Sequence, residues 1–242
     1  MLLNRAKRSQ YDRLIAFIRS PEFQRKMSDR TLRRPAVPGV TPNAQIPGGL
    51  LVELPFPTTR SVIDALLFSY LDVQRIPAHA FFVLDVSGSM DGARLDALQG
   101  ALTGLTGLDS SLTGRFSRFQ SREKITIVTF NSQIQPPRDF MVDDTNPQGA
   151  DMQRIRDFVG SLKAGGNTAI YSALDSAYQL AAQAQRLEPD RYYSIVLMTD
   201  GENNSGLSEK EFRTRYNGLP AAARGVRTFT VLFGEADKKT TQ

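Results

Sequence analysis

The sequence has no cysteine, no tryptophan and one histidine, His79, among 242 residues. Without cysteine there are no disulfides, no thiolate zinc or iron–sulfur centres and no cysteine nucleophile. A lone histidine cannot provide a set of imidazole ligands, and it argues against a Ser-His-Asp triad. No apolar run reaches the roughly 18 residues of a membrane-spanning helix, which excludes a membrane span. The start, Met1-Leu2-Leu3-Asn4-Arg5, lacks the apolar stretch and cleavage site of a secretory signal. The compartment stays open, because a disulfide-free protein works on either side of a membrane. What is present, 40% hydrophobic and 23% charged residues, fits a folded chain with one sizeable core and an appendage.

The net charge of +5 is unevenly placed. Residues 1–34 carry ten basic and three acidic side chains, a net +7, so the remainder carries −2. The main body is therefore not the basic object that nucleic-acid binding calls for. In the tail, Tyr11, Leu14, Ile15 and Ile18 have helical spacing up to Pro21, and Glu22 to about Leu32 reads as a second short helix. Arg34-Pro35, Val37-Pro38, Thr41-Pro42 and Ile46-Pro47-Gly48-Gly49 then form an extended strap. The expected divisions are a basic helical segment and strap over 1–47, a connector over 48–76 and an α/β domain over 77–242. The connector holds a short strand at Leu50–Leu54 and a helix from Arg60 to about Gln74, capped by Thr58 or Thr59.

From residue 77 onward buried strands alternate with amphipathic helices. Ala80–Leu84, Ile125–Phe130, Tyr192–Met198 and Val226–Phe233 are apolar runs of strands covered on both faces. Helices are expected over Ala93–Leu108, Asp151–Leu162, Ala169–Leu187 and Ser208 to about Ala223. Gly100, Gly104 and Gly107 weaken the first of these, and close packing on a sheet would compensate. Gln133–Phe140, with Pro136-Pro137, suits only an edge strand. Arg115-Phe116 and Arg118-Phe119 read as a segment packing two rings, and His79 as a strand-entry residue. The resulting order predicts an α/β fold with a mainly parallel sheet, one antiparallel edge strand and helices on both faces.

Three polar clusters fall at loop positions beside these strands and helices. They are Asp85-Val86-Ser87-Gly88-Ser89-Met90, Gly165-Gly166-Asn167-Thr168 and Thr199-Asp200-Gly201. Open α/β sheets bind ligands beyond the carboxyl ends of strands, where strand order reverses. Asp85 and Asp200 share that crevice if their strands are neighbours, and Gly88 lets Ser87 and Ser89 point at one spot. Two carboxylates with hydroxyls make an all-oxygen donor set suited to a hard cation, Mg²⁺ or Mn²⁺.

These residues closely resemble the von Willebrand factor type A domain, whose motif of Asp-x-Ser-x-Ser, a separate Thr and a separate Asp is called the metal-ion-dependent adhesion site (MIDAS). Asp85, Ser87, Ser89, Thr168 and Asp200 match it in order, over a resemblance that runs from about Ile76 to Asp237. It implies a Rossmann-like sheet in which Ser87, Ser89 and Thr168 touch the metal, with Asp85 and Asp200 acting through water. It also implies a protein-interaction module rather than an enzyme, its protein partner offering Asp or Glu to the ion. Met90, Asp91, Asn131, Asn203 and Asn204 would form the rim that sets specificity. The family usually continues past the strand Val226–Phe233 with further elements, so one sheet edge is expected to be bare. Tyr11–Gln24 is similar to the closing helices of a bacterial extracellular solute-binding domain, which points to an extracytoplasmic or envelope setting for a parent protein. Two other readings remain: metal-assisted phosphate-ester hydrolysis at the same oxygens, and a structural remnant of a larger protein.

Overall fold

The computed structural model describes residues 5–47, 57–109, 111, 114 and 116–234. The chain divides into two compact units, Met1–Pro57 and Thr58–Gln242. The expected strand at Leu50–Leu54 lies outside the described residues.

In the first unit, α1 (Arg5–Ile18) and α2 (Pro21–Thr31) meet at a tight corner. Ser20 caps α2, its Oγ accepting from the Phe23 N–H at 3.2 Å, with Pro21 in the first helical position where no N–H is needed. Phe17 and Phe23 pack across the corner, ring centroids 5.1 Å apart. Two buried polar side chains of α2 hold the proline-rich strap. Gln24 Oε1 accepts from Ala36 N at 2.6 Å while its Nε2 donates to the Ile18 carbonyl at 2.8 Å. Ser28 Oγ accepts from Asn43 N at 3.0 Å. A segment whose prolines remove ladder donors is thus ordered by side chains instead of by a sheet.

The second unit opens with α3 (Arg60–Ser69), which runs on through a wide π turn, Tyr70–Gln74. Thr59 occupies the cap position but makes no capping bond. There follow β1 (Ala78–Asp85), α4 (Ala93–Thr103), β2 (Glu123–Phe130), β3 (Arg138–Val142), α5 (Ala150–Gly160), α6 (Ile170–Leu187), β4 (Tyr192–Thr199), α7 (Glu209–Asn217), α8 (Ala221–Arg224) and β5 (Arg227–Leu232). The five strands lie in the order β3-β2-β1-β4-β5, parallel except for the antiparallel edge pair β2–β3. The chain winds from β1 towards β2 and β3, then returns across β1 to β4. The reversal therefore falls between β1 and β4.

Strand side chains alternate between two cores, as a two-residue repeat requires. Phe82, Leu84, Ile125, Ile127 and Met198 enter the core closed by Leu98 and Leu102 of α4 and Met152, Ile155 and Val159 of α5. Phe81, Val83, Phe130, Ile195 and Leu197 enter the other, closed by α6. There Ala173, Ala177 and Ala181, four residues apart, let α6 lie close to the sheet. Each large side chain so buried contributes about 1.5–3 kcal/mol.

Several expectations shift. The edge strand begins at Arg138, after Pro136-Pro137, because proline has no N–H for the ladder; upstream only Ile134 makes an isolated bridge, to Phe130. The helix expected from Ser208 to Ala223 is two helices, parted at Gly218–Pro220. The helix from Ala93 leaves α geometry at Gly104 and ends where Gly107 takes φ 87°. A Cβ on Gly100 or Gly104 would meet no atom within 4 Å, so close packing is not why glycine stands there. Of the two rings near Arg118, Phe119 is buried and Phe116 is 46% exposed.

Candidate metal centre

Register brings the polar loops together. Leu84 pairs with Met198 at the end of the β1–β4 ladder, so Asp85 and Thr199 leave the sheet side by side, with Asp200 next. Thr199 Oγ1 donates to Asp85 Oδ2 at 2.5 Å, and the Ser87 N–H donates to Asp85 Oδ1 at 2.9 Å. Both carboxylate oxygens of a fully buried aspartate are thus engaged. Burial pushes the Asp85 carboxyl above its ordinary pKa; the bonds from Ser87 and Thr199 oppose that shift, and the nearby Asp200 adds to it.

Beyond Asp85 the chain takes a short 3₁₀ turn, Gly88–Met90. The turn brings Ser87 Oγ within 3.1 Å of Ser89 Oγ, and Ser89 Oγ donates to Asp200 Oδ1 at 3.1 Å. Gly88 does not have a positive φ, so the curl comes from the 3₁₀ turn rather than from a conformation reserved for glycine. The loop before α6 is strapped to this one. Gly165 N donates to the Val86 carbonyl at 2.8 Å, and Gly88 N to the Gly166 carbonyl at 2.9 Å. Gly166 has φ 84°, and a Cβ there would lie 2.9 Å from Ser132 Oγ, the atom that accepts from Asn167 N. Buried Thr168 is bracketed by Asn204, whose Oδ1 accepts from Thr168 N at 2.8 Å and whose N–H donates back to the Thr168 carbonyl at 3.0 Å.

Asp85, Ser87, Ser89 and Asp200 thus form one hydrogen-bonded chain, and Thr168 stands on a loop tied to it by backbone bonds. The donor chemistry fits a hard divalent cation. Oxygen ligands at about 2.1 Å in an octahedron stand about 3 Å apart, and the Ser87–Ser89 and Ser89–Asp200 pairs, each at 3.1 Å, have that spacing. Among the described residues no three His, Cys, Asp or Glu side chains gather, so a site here relies on hydroxyls beside two carboxylates.

The rim differs from the expectation. Met90 is fully buried in the core under α4, not on the rim. Asn203 and Asn204 spend side-chain atoms on bracing, Asn203 Oδ1 accepting from Tyr171 N at 3.2 Å and its Nδ2 donating to the Leu207 carbonyl. Two contributors were missed. Thr199 stood beside Asp200 in the sequence, yet only the ladder shows that it faces Asp85. Arg94 donates to Asp200 from a position 106 residues away in sequence, a distance that no local spacing signals.

A doubly wound α/β unit with carboxylates and hydroxyls gathered at its switch point defines the class. The family profile of the von Willebrand factor type A domain matches residues 81–242, and the chain belongs to that family. It is 30% identical over 137 residues to protein sll0103 of Synechocystis sp., covering 57% of this chain and 28% of that protein. It is 29% identical over 139 residues to human inter-alpha-trypsin inhibitor heavy chain H3, covering 56% and 14% respectively. The chain thus spans less than a third of the length of these curated relatives. Among solved structures it is similar to proximal thread matrix protein 1 of the mussel byssus with a zinc-occupied MIDAS motif, at 18% identity and TM-score 0.44, over 66% of this chain and 39% of that one.

Proposed function

We propose that residues 77–242 are a divalent-metal-dependent protein-interaction module, with Asp85, Ser87, Ser89, Thr168 and Asp200 holding Mg²⁺ or Mn²⁺ and the partner protein offering an Asp or Glu side chain. The observation that carries this reading is the run of oxygens Ser87 Oγ, Ser89 Oγ and Asp200 Oδ1 at 3.1 Å steps. A bound ion would supply a Lewis-acidic docking point for an anionic oxygen from outside. Asp85, with both oxygens occupied by Thr199 and Ser87, orients the loop and lends its charge from behind. The serine hydroxyls are neutral, which leaves positive charge to be matched by the partner. His79 lies at the other end of β1, about 20 Å away by strand rise over six residues, so it contributes no base to the cluster. We also read residues 1–47 as the end of a solute-binding-type domain preceding the module, a reading supported by the sequence of Tyr11–Gln24.

Mg²⁺ or Mn²⁺ is expected to raise the melting temperature by mass action, and Asp85→Ala to abolish the rise. An identical rise in the variant would put the ion elsewhere. Partners retained from source lysate with Mg²⁺ and released by chelator are then measured for affinity. Metal loss should weaken binding at least about tenfold, or about 1.4 kcal/mol, with Thr168→Ala acting in the same direction. A partner whose affinity ignores both changes would bind another face.

A further inference from the structure

Arg94, in the first turn of α4, aims its guanidinium at this same cluster. Its Nη1 donates to Asp200 Oδ2 at 2.9 Å and to the Ser89 carbonyl at 2.8 Å. Asp200 therefore has two occupied sides, Oδ1 towards the Ser89 hydroxyl and Oδ2 towards Arg94. The Asp200 side chain is 8% exposed and that of Arg94 45%, so the carboxylate is enclosed while the guanidinium reaches the open rim. Gly234, just past β5, leaves the room: a Cβ there would stand 3.1 Å from Arg94 Nε and 3.3 Å from Nη2. A permanent cation is thus seated against one of only two carboxylates in a cluster otherwise made of neutral hydroxyls. Such a charge has two opposite effects. It repels a second cation, and it attracts an external anion, for which the guanidinium also offers a planar fork of N–H donors.

We infer that Arg94 is the specificity-determining residue of this site, loosening its hold on the divalent ion and supplying a donor for the second oxygen of an incoming carboxylate. This rests on the metal-centre reading above. Arg94 sets a balance: the site gives up affinity for the metal and gains affinity for the anion that the loaded site receives. A residue that merely propped Asp200 in place would do the reverse, because its loss would misplace Asp200 and weaken the metal.

The test titrates Mn²⁺ into wild type, Arg94→Met, Arg94→Lys and Asp85→Ala, reading bound ion by water-proton relaxation. Acetate is then titrated into each Mn²⁺-saturated protein. Arg94→Met should bind Mn²⁺ about tenfold more tightly and acetate about tenfold more weakly, from the loss of one neighbouring charge. Arg94→Lys, which keeps the charge but loses the fork, should hold Mn²⁺ like wild type and acetate less well. Weaker Mn²⁺ binding by Arg94→Met, or acetate binding that ignores the substitution, overturns the assignment while leaving the metal centre intact. Equal Mn²⁺ binding by wild type and Asp85→Ala would instead sink the metal centre, and the role of Arg94 with it. Melting temperatures in chelator verify folding, and Arg94→Gln carries the same two titrations should Arg94→Met fold poorly.

Discussion

Replacing His79 by glutamine should flatten the acid sensitivity of this protein. His79 is 8% exposed, its ring stacked on Phe81 at 4.3 Å. Its Nε2 lies 2.8 Å from Thr126 Oγ1, which donates its own proton to Asp139 Oδ1 at 2.6 Å. The Thr126 oxygen can therefore only accept from His79, which places the proton of the neutral imidazole on Nε2 and leaves Nδ1 buried without a partner. Protonating Nδ1 would create an unsatisfied buried donor. Burial first, then the charges of Lys124 and Arg191, lower the pKa from 6.5 to about 4, with Asp139 and Glu188 opposing. The unfolded imidazole takes up a proton throughout that window and the folded one does not, so stability present above pH 6.5 is lost as pH falls towards 4. At 1.36 kcal/mol per unit, the loss is about 2 kcal/mol at pH 5 and about 3 kcal/mol at pH 4. Equilibrium urea unfolding of wild type and His79→Gln across pH 7.5 to 4 isolates this contribution as a difference. Other groups titrate in both proteins; Glu188, held at about 2 by Lys124 and Arg191, adds its own loss below its ordinary 4.5. Parallel stability profiles for the two proteins would refute the argument, whatever their offset.

Gly166→Ala meets both a positive φ and the Ser132 hydroxyl, so it should cost about 1–3 kcal/mol by thermal melting. It should also weaken Mn²⁺ binding by shifting the loop that carries Thr168; full stability in the variant would show that the loop yields freely. Ser208→Ala removes the capping box that Ser208 and Glu211 form at the start of α7, a loss of about 1 kcal/mol in urea unfolding. An unchanged midpoint would mean that packing of Phe212 and Tyr216 alone sets that helix.

The sequence by itself determined the alternation of strands and helices in the second unit, because continuous apolar runs such as Phe81–Leu84 and helical spacings such as Leu95, Leu98 and Leu102 are local patterns with a fixed period. It determined the polar loops too, since Asp85, Ser87, Ser89, Thr168 and Asp200 adjoin those elements in order. Tertiary structure decided everything that rests on partners distant along the chain. The β1–β4 ladder alone turns Thr199 towards Asp85. The seating of α4 against the sheet sends Arg94 to Asp200 and buries Met90, which its place beside Ser89 in the sequence had suggested for the rim. The shift of β3 past its prolines and the break before α8 were carried by residues already visible, but there pattern competed with backbone donors, and the missing N–H of proline prevailed. Periodicity is a property of neighbours, whereas a site is a convergence of residues that only the folded backbone brings within 3 Å.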